Sequence, residues 1–226
     1  MSIRSHERYA LLTDYDTGSA YSEAYHTVFA NIRFTWESDS TQQHTLLLAT
    51  PSPYAEQAGV VANVAMVAAQ SGTPTILVDA DLRTPGLQQR FSLGKSSGLS
   101  ELLAEESVTP EKVAASLCKT FIPNLRLLSA GDTIMGGASL LLSPKLETIV
   151  NCLRKLAAGA ETSPGLVIFH SPPVLSGADA SLISAQVEQT FLTMVVGRTT
   201  RVQVKQAQEQ LQRSHANLVG SILLDV

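Results

Sequence analysis

The chain has 226 residues, of which 44% are hydrophobic, and its 20 acidic and 16 basic side chains give a net charge of −4. This length and composition can bury one sizeable core and predict a single domain. The mild negative charge, without a run of Lys or Arg, argues against DNA or RNA as a direct partner.

Neither the cysteines nor the apolar segments indicate secretion or a membrane span. Cys118 and Cys152 show no CxxC spacing, and the first residues lack the charged, apolar and small-residue order of a secretory signal. The apolar stretch over residues 60–69 is far shorter than the roughly 20 residues that cross a bilayer. We therefore expect a cytoplasmic protein without direct membrane insertion, which a partner recruits to the inner face of the membrane.

The N-terminal residues 1–18 are polar and uneven, which predicts a flexible segment. Residues 19–226 are expected to form one domain that begins with an amphipathic helix over residues 19–37. Apolar side chains recur there at three- and four-residue spacing, as on one helical face: Tyr21, Ala24, Tyr25, Val28, Ile32 and Trp36.

Short apolar runs then alternate with longer helical patterns. The runs cover residues 45–49, 75–78, 125–129, 166–169, 191–196 and 218–224. Strands separated by helix-length segments predict an α/β fold, with a mostly parallel, doubly wound sheet flanked by helices. The clearest helical period starts at Leu146, after Ser143 and Pro144 as the start signal.

Two carboxylates follow the second predicted strand. Asp79 and Asp81 stand two residues apart where the apolar run over residues 75–78 ends. Ligands of a doubly wound sheet bind beyond the carboxyl ends of its strands, and paired carboxylates there can hold Mg²⁺ and its waters. Acids at a strand end also serve structure, by capping a helix or by pairing with a cation such as Arg83. The pattern leaves both roles open.

The residues around this acid pair resemble a known family. Residues 79–83, Asp-Ala-Asp-Leu-Arg, resemble the second Walker motif of the bacterial tyrosine kinases, which are related to MinD- and ParA-type P-loop ATPases. The chain also resembles other landmarks of that family, in their usual order, at residues 22–33, 128–131, 171–175, 197–200 and 219–223. The resemblance implies a P-loop NTPase-like fold with a Mg-ATP site. It also implies a C-terminal tyrosine cluster as substrate, but the chain has no tyrosine after Tyr54.

The phosphate-binding loop departs from the family pattern. Such a loop needs glycines that expose backbone N–H groups, a lysine for the β- and γ-phosphates, and a Ser or Thr hydroxyl for magnesium. Residues 62–65, Ala-Asn-Val-Ala, resemble the family's Ala-Asn-Leu-Ala. Aligning them places Tyr54 and Glu56 at glycines, Gln57 at the lysine and Ala58 at the hydroxyl. Because Glu56 adds negative charge and Gln57 supplies no cation, we predict a site without phosphoryl transfer.

The third strand end also differs. Residues 167–173 resemble the family's Walker B strand ending, but His170 stands where an aspartate is expected. His170 is either a new base or ligand, or a histidine held by ordinary hydrogen bonds. No other histidine stands at metal-ligand spacing from it, which favours the second interpretation.

The first predicted helix carries an altered association pattern. The family has a glutamate followed by arginines three and six residues later, and this chain has Glu23, His26 and Phe29. Without those cations, a ring of the family type is not expected. Phe29 is a candidate for a different apolar contact, although packing on its own domain is equally open, and the oligomeric state stays undecided.

The leading hypothesis is a catalytically inactive relative of the bacterial tyrosine kinases that works by protein binding, without cofactor or metal. The resemblance implies capsule or exopolysaccharide assembly. Its partner would be a membrane polysaccharide co-polymerase, a chain-length regulator, or homologous kinase subunits. One alternative is a kinase or ATPase with an unusual Mg-ATP site, in which Asp79 and Asp81 hold magnesium. Another is a MinD-like positioning or scaffold protein.

Overall fold

The computed structural model describes residues 11–14, 16, 18–36, 43–131, 137–158 and 164–225. The strands in these ranges are β1 (Gln43–Ala49), β2 (Thr75–Asp79), β3 (Leu117–Lys119), β4 (Leu125–Leu128), β5 (Gly165–His170), β6 (Gln189–Val195) and β7 (Leu218–Leu224). They form one sheet in the order β3-β4-β2-β5-β1-β6-β7. Neighbouring strands run parallel, except that β3 is antiparallel to β4. The predicted doubly wound, mostly parallel sheet is therefore confirmed.

Helices fill the segments between the strands. In the described ranges they are α1 (Ala20–Phe34), α2 (Gln57–Gln70), α3 (Leu87–Arg90), α4 (Leu99–Ala104), α5 (Pro110–Ala115), α6 (Gly137–Leu141), α7 (Lys145–Ala157), α8 (Asp179–Ser184) and α9 (Arg201–Arg213). Short 3₁₀ turns lie at Leu12–Asp14 and Val174–Ser176. The predicted first helix corresponds to α1, which begins after Ser19, whose hydroxyl accepts a hydrogen bond from the Ser22 N–H.

Two apolar layers pack on the two faces of the sheet. Alternate side chains of β1 point to opposite faces, so that Leu47 joins the layer under α4 to α9, whereas Leu46 and Leu48 join the layer under α1 and α2. Because both faces of the sheet are covered, the central strands contain unbroken apolar runs, over residues 46–49, 76–78 and 166–169. Helix α2 is buried along most of its length because it contacts both α1 and the sheet.

Part of the segment that we expected to be flexible packs on the domain. Leu11 and Leu12 are buried, and the Leu12 N–H donates to the Asn63 Oδ1 at 2.9 Å. The Asn63 amide in turn donates to the Tyr21 hydroxyl at 3.2 Å. The polar Asn63 within the apolar helix α2 therefore ties the N-terminal turn and α1 to the domain.

Candidate functional site

The carboxyl ends of three adjacent strands, β2, β5 and β1, open into one cavity of about 660 Å³. Five of the seven predicted nucleotide-site positions line it. The cavity is lined by Tyr54, Gln57, Ala58, Asp81, Arg83, Arg90 and His170, among others. This is the place where the topology of a doubly wound sheet predicts a ligand site.

The side chain of Gln57 forms a hydrogen bond within the protein itself. Gln57 is the first residue of α2 and is buried, and its Nε2 donates to the backbone carbonyl of Ser171 at 2.7 Å. Ser171 directly follows β5, so this hydrogen bond joins the start of α2 to the neighbouring strand. A second link runs from the Val174 N–H to the Thr50 carbonyl at 2.8 Å. The loop after β1 is therefore fixed against the segment after β5.

An ion pair lies beside the first turn of α2. The Glu56 Oε2 lies 3.3 Å from the Arg90 Nη2, and the Arg90 side chain is only 4% exposed. A Cβ atom at Gly59 would lie 2.9 Å from the Arg90 Nη1 and 3.1 Å from the Glu56 Oε2, so both groups approach the backbone of α2 closely. The unpaired N–H groups and the dipole of a helix N-terminus attract an anion. Here the carboxylate of Glu56 already places a negative charge next to that turn.

Tyr54 and Ala58 extend the apolar lining of the cavity. Both are partly buried and pack against the apolar layer that holds α1 and α2. Burial raises the pKa of the Tyr54 phenol well above its usual range, so its hydroxyl stays protonated. A Cβ atom at Gly86 would lie 3.6 Å from the Ala58 Cβ, which shows that the start of α2 and the start of α3 are close neighbours.

Asp79 lies below the cavity and caps α3. It is fully buried at the end of β2, and its Oδ2 accepts hydrogen bonds from the N–H groups of Gly86 at 3.1 Å and Leu87 at 3.0 Å. Its Oδ1 accepts from the Asp81 N–H at 3.3 Å. Burial raises the pKa of Asp79, while the nearby His170 and these N–H donors act in the opposite direction.

Asp81 closes the turn that follows β2. Its Oδ1 accepts from the N–H groups of Arg83 at 3.1 Å and Thr84 at 2.8 Å, and its Oδ2 accepts from the Thr84 hydroxyl at 2.9 Å. The suggested ion pair between Arg83 and one of these two aspartates is not formed. The Arg83 Nη2 instead lies 2.8 Å from the Oδ2 of Asp179, a buried residue at the start of α8.

The hydrogen bonding of His170 differs from the interpretation that the sequence favoured. It ends β5, lies opposite Asp79 in the register with β2, and is 3% exposed. The expected hydrogen bond is missing at one ring nitrogen, since Nδ1 has no partner among the described residues. Desolvation lowers the pKa of His170, although Asp79 and Asp81 raise it in part. A neutral imidazole therefore forms part of the cavity wall.

The three candidate association residues do not share one surface. Glu23 and His26 are exposed on α1, whereas Phe29 is 3% exposed and packs edge-to-face on Trp36 with ring centroids 6.0 Å apart. A partner that approaches α1 can contact the first two residues. Phe29 belongs to the apolar core of its own domain.

Two site residues were missed by sequence reasoning. Arg90 comes from α3, and Asp179 comes from α8, about one hundred residues after its partner Arg83 in the chain. No periodicity or motif spacing connects such residues before the chain folds. Within the described ranges, no cluster of three or more His, Cys, Asp or Glu side chains is arranged to hold a metal ion. Those same ranges contain no helix that is both long enough and apolar enough to span a bilayer.

Comparison with known proteins gives consistent results for sequence and structure. The tyrosine-protein kinase YwqD of Bacillus subtilis is 31% identical over 205 residues, which are 91% of this chain and 81% of that kinase. The crystal structure of the chimerical protein CapA2B2 matches with a TM-score of 0.80 and 25% identity, over 99% of this chain and 93% of that one.

A more distant likeness extends to cell-division ATPases. MinD of Pyrococcus furiosus matches with a TM-score of 0.65 and 16% identity, over 80% of this chain and 71% of that one, which shows a common fold alone. No family model matches the chain.

Proposed function

This chain belongs to the bacterial tyrosine kinases, and we propose that it is a member without phosphoryl-transfer activity that acts by binding another protein. The observation that carries the proposal is the hydrogen bond of the Gln57 side chain. Its amide donates to the Ser171 carbonyl at 2.7 Å, at the position that the family alignment gives to the phosphate-binding lysine. A neutral amide that is held in this way supplies no cation to a transferring phosphoryl group.

The charges around the cavity do not fit a bound polyphosphate. Arg90 and Arg83 line the cavity, but each already faces a carboxylate, of Glu56 and Asp179 respectively. The Glu56 carboxylate lies beside the first turn of α2, where it would repel the phosphates. The cavity therefore offers no positive charge without a nearby negative one among these residues.

The aspartates are also a poor fit for Mg²⁺. Asp79 accepts three backbone hydrogen bonds, and Asp81 accepts two backbone hydrogen bonds and one hydroxyl hydrogen bond. Because three of the roughly four acceptor sites on each carboxylate are already used, each can offer a cation one lone pair at most. We infer that both acids now shape the loop between β2 and α3, and no step of a reaction is assigned to them.

In this proposal the protein is cytoplasmic and works in capsule or exopolysaccharide assembly. It retains the shape of a kinase domain and binds a membrane polysaccharide co-polymerase, a chain-length regulator or an active homologous kinase subunit. Affinity purification from cells after crosslinking would test this role. Recovery of a membrane chain-length regulator supports it, whereas recovery of a division or partition complex supports a MinD-like scaffold instead.

The alternative enzyme hypothesis rests on Asp81, which lines the cavity, as expected for an acid that holds magnesium. In this alternative, a partner supplies the missing lysine. The test is phosphate release from radiolabelled Mg-ATP, alone and with an active kinase homologue. We expect no release above the background of that homologue. Release that depends on this chain and disappears in Asp79→Asn would contradict our proposal.

A further inference from the structure

The two edges of the sheet differ in how they are protected. One edge is β3, a strand of three residues that contains Lys119. The other edge is β7, which has seven residues, Leu-Val-Gly-Ser-Ile-Leu-Leu, without a charged residue or a proline. No described strand pairs with the outer side of β7. Short strands, charges, prolines and bulges are the usual protection of an edge strand. β7 has none of the first three, and its pairing with β6 is irregular only at Val219, between Leu218 and Gly220.

The outer side of β7 presents backbone groups and apolar side chains. The Leu224 carbonyl accepts from the Val196 N–H of the segment after β6, so Leu224 directs its backbone groups towards β6. The pairing of β7 with β6 is regular from Gly220 to Leu224, and backbone groups alternate in direction along this part, which directs those of Ser221 and Leu223 outwards. The Leu223 side chain is 68% exposed and that of Val219 is 37% exposed.

We propose that β7 pairs antiparallel with β7 of a second copy of this chain, about a two-fold axis at Ser221. In this register, each Leu223 lies opposite Val219 of the other copy, and the two Ser221 residues exchange backbone hydrogen bonds. The two sheets become one continuous sheet across the dimer. This surface lies at the sheet edge beyond β6, so the inference does not depend on the loss of nucleotide chemistry.

The strand is self-complementary, which favours a second copy as the occupant. Its exposed apolar side chains stand two residues before and two residues after Ser221, so a two-fold axis there matches each with the other. No like charges meet along the pairing. Asp225, which follows the strand, lies opposite the neutral Asn217. A seven-residue edge is smaller than a standard interface, so we expect weak association, at the micromolar end of the range for protein–protein interfaces or weaker.

Sedimentation velocity of the purified full chain, at micromolar to submillimolar concentration, tests the inference. We expect a reversible monomer–dimer equilibrium in the wild type. Leu223→Lys enters the interface twice by symmetry and should raise the dissociation constant at least about tenfold. The matched control is Val202→Lys on α9, at a side chain that is 65% exposed, and it should change the constant less than about twofold.

Hydrogen–deuterium exchange provides the second measurement. In the dimer, the N–H groups of Ser221 and Leu223 should exchange more slowly as protein concentration rises, and Leu223→Lys should abolish that dependence. Circular dichroism of both variants should match the wild type. A wild type that stays monomeric throughout the concentration range overturns the inference and would favour a strand of a different protein as the partner of β7. A dimer that Leu223→Lys does not weaken also overturns it.

Discussion

Replacing Asp79 with alanine separates a structural role of this acid from a metal-binding role. Asp79 is fully buried and accepts hydrogen bonds from the N–H groups of Asp81, Gly86 and Leu87. In Asp79→Ala, three N–H groups lose their acceptor, and each buried donor without a partner costs about 1–3 kcal/mol. Part of this cost is offset, because the variant no longer buries a carboxylate, whose pKa is raised by burial. The net loss in the free energy of unfolding should be about 3 kcal/mol.

Differential scanning calorimetry and urea unfolding measure this loss. For a domain of this size, about 3 kcal/mol corresponds to a decrease in Tm of about 6–12 °C. Asp79→Asn keeps one acceptor oxygen and should lose about half as much. Glu147→Ala, at an exposed side chain on α7, is the control and should stay within about 0.5 kcal/mol of the wild type. An acid retained for a metal is often a burden on stability, so an Asp79→Ala protein as stable as the wild type would refute the structural role.

Three further predictions concern the surrounding residues. Phe29→Ala should cost about 3–5 kcal/mol in urea unfolding, because Phe29 packs on Trp36 in the core; a loss below about 1 kcal/mol would indicate a surface role. Arg83→Ala should cost about 1–2 kcal/mol, because it leaves the buried Asp179 without its cation although Arg83 itself is half exposed. Burial lowers the pKa of His170, so the unfolded chain takes up a proton that the folded chain does not as pH falls below about 6.5. The wild type should therefore lose more stability than His170→Asn between about pH 7 and pH 5, and parallel unfolding curves would contradict this.

Local patterns in the sequence predicted the main elements of the fold. The central strands contain continuous apolar runs because both faces of the sheet are covered, and such runs are visible in the chain. Strand β3 was not predicted, since three residues carry no measurable periodicity and its pairing with β4 depends on the surrounding fold. The packing of Leu11 and Leu12 was missed for a similar reason. The two apolar residues stand in a polar segment, and their packing involves contacts distant in the chain, such as the hydrogen bond from the Leu12 N–H to Asn63.

The position of the site was predictable, but its internal contacts were not. The motifs predicted Gln57, Asp79 and His170 at or beyond the ends of three strands. In the structure these strands, β1, β2 and β5, are neighbours, which the motifs did not predict. The contact of Gln57 with Ser171 and the pair of Glu56 with Arg90 join residues far apart in the chain, which no spacing rule connects. These tertiary contacts show how the altered side chains are used, which the identity of the residues alone does not show.

Calorimetric titration of the purified protein with Mg-ATP and Mg-ADP at millimolar ligand tests the central claim most directly. An active bacterial tyrosine kinase, measured under the same conditions, shows that the assay detects binding. Because Gln57 is bonded to Ser171 and Glu56 lies beside the first turn of α2, we predict no saturable heat for either nucleotide. A saturable titration with one site per chain would contradict the account and would favour the enzyme hypothesis.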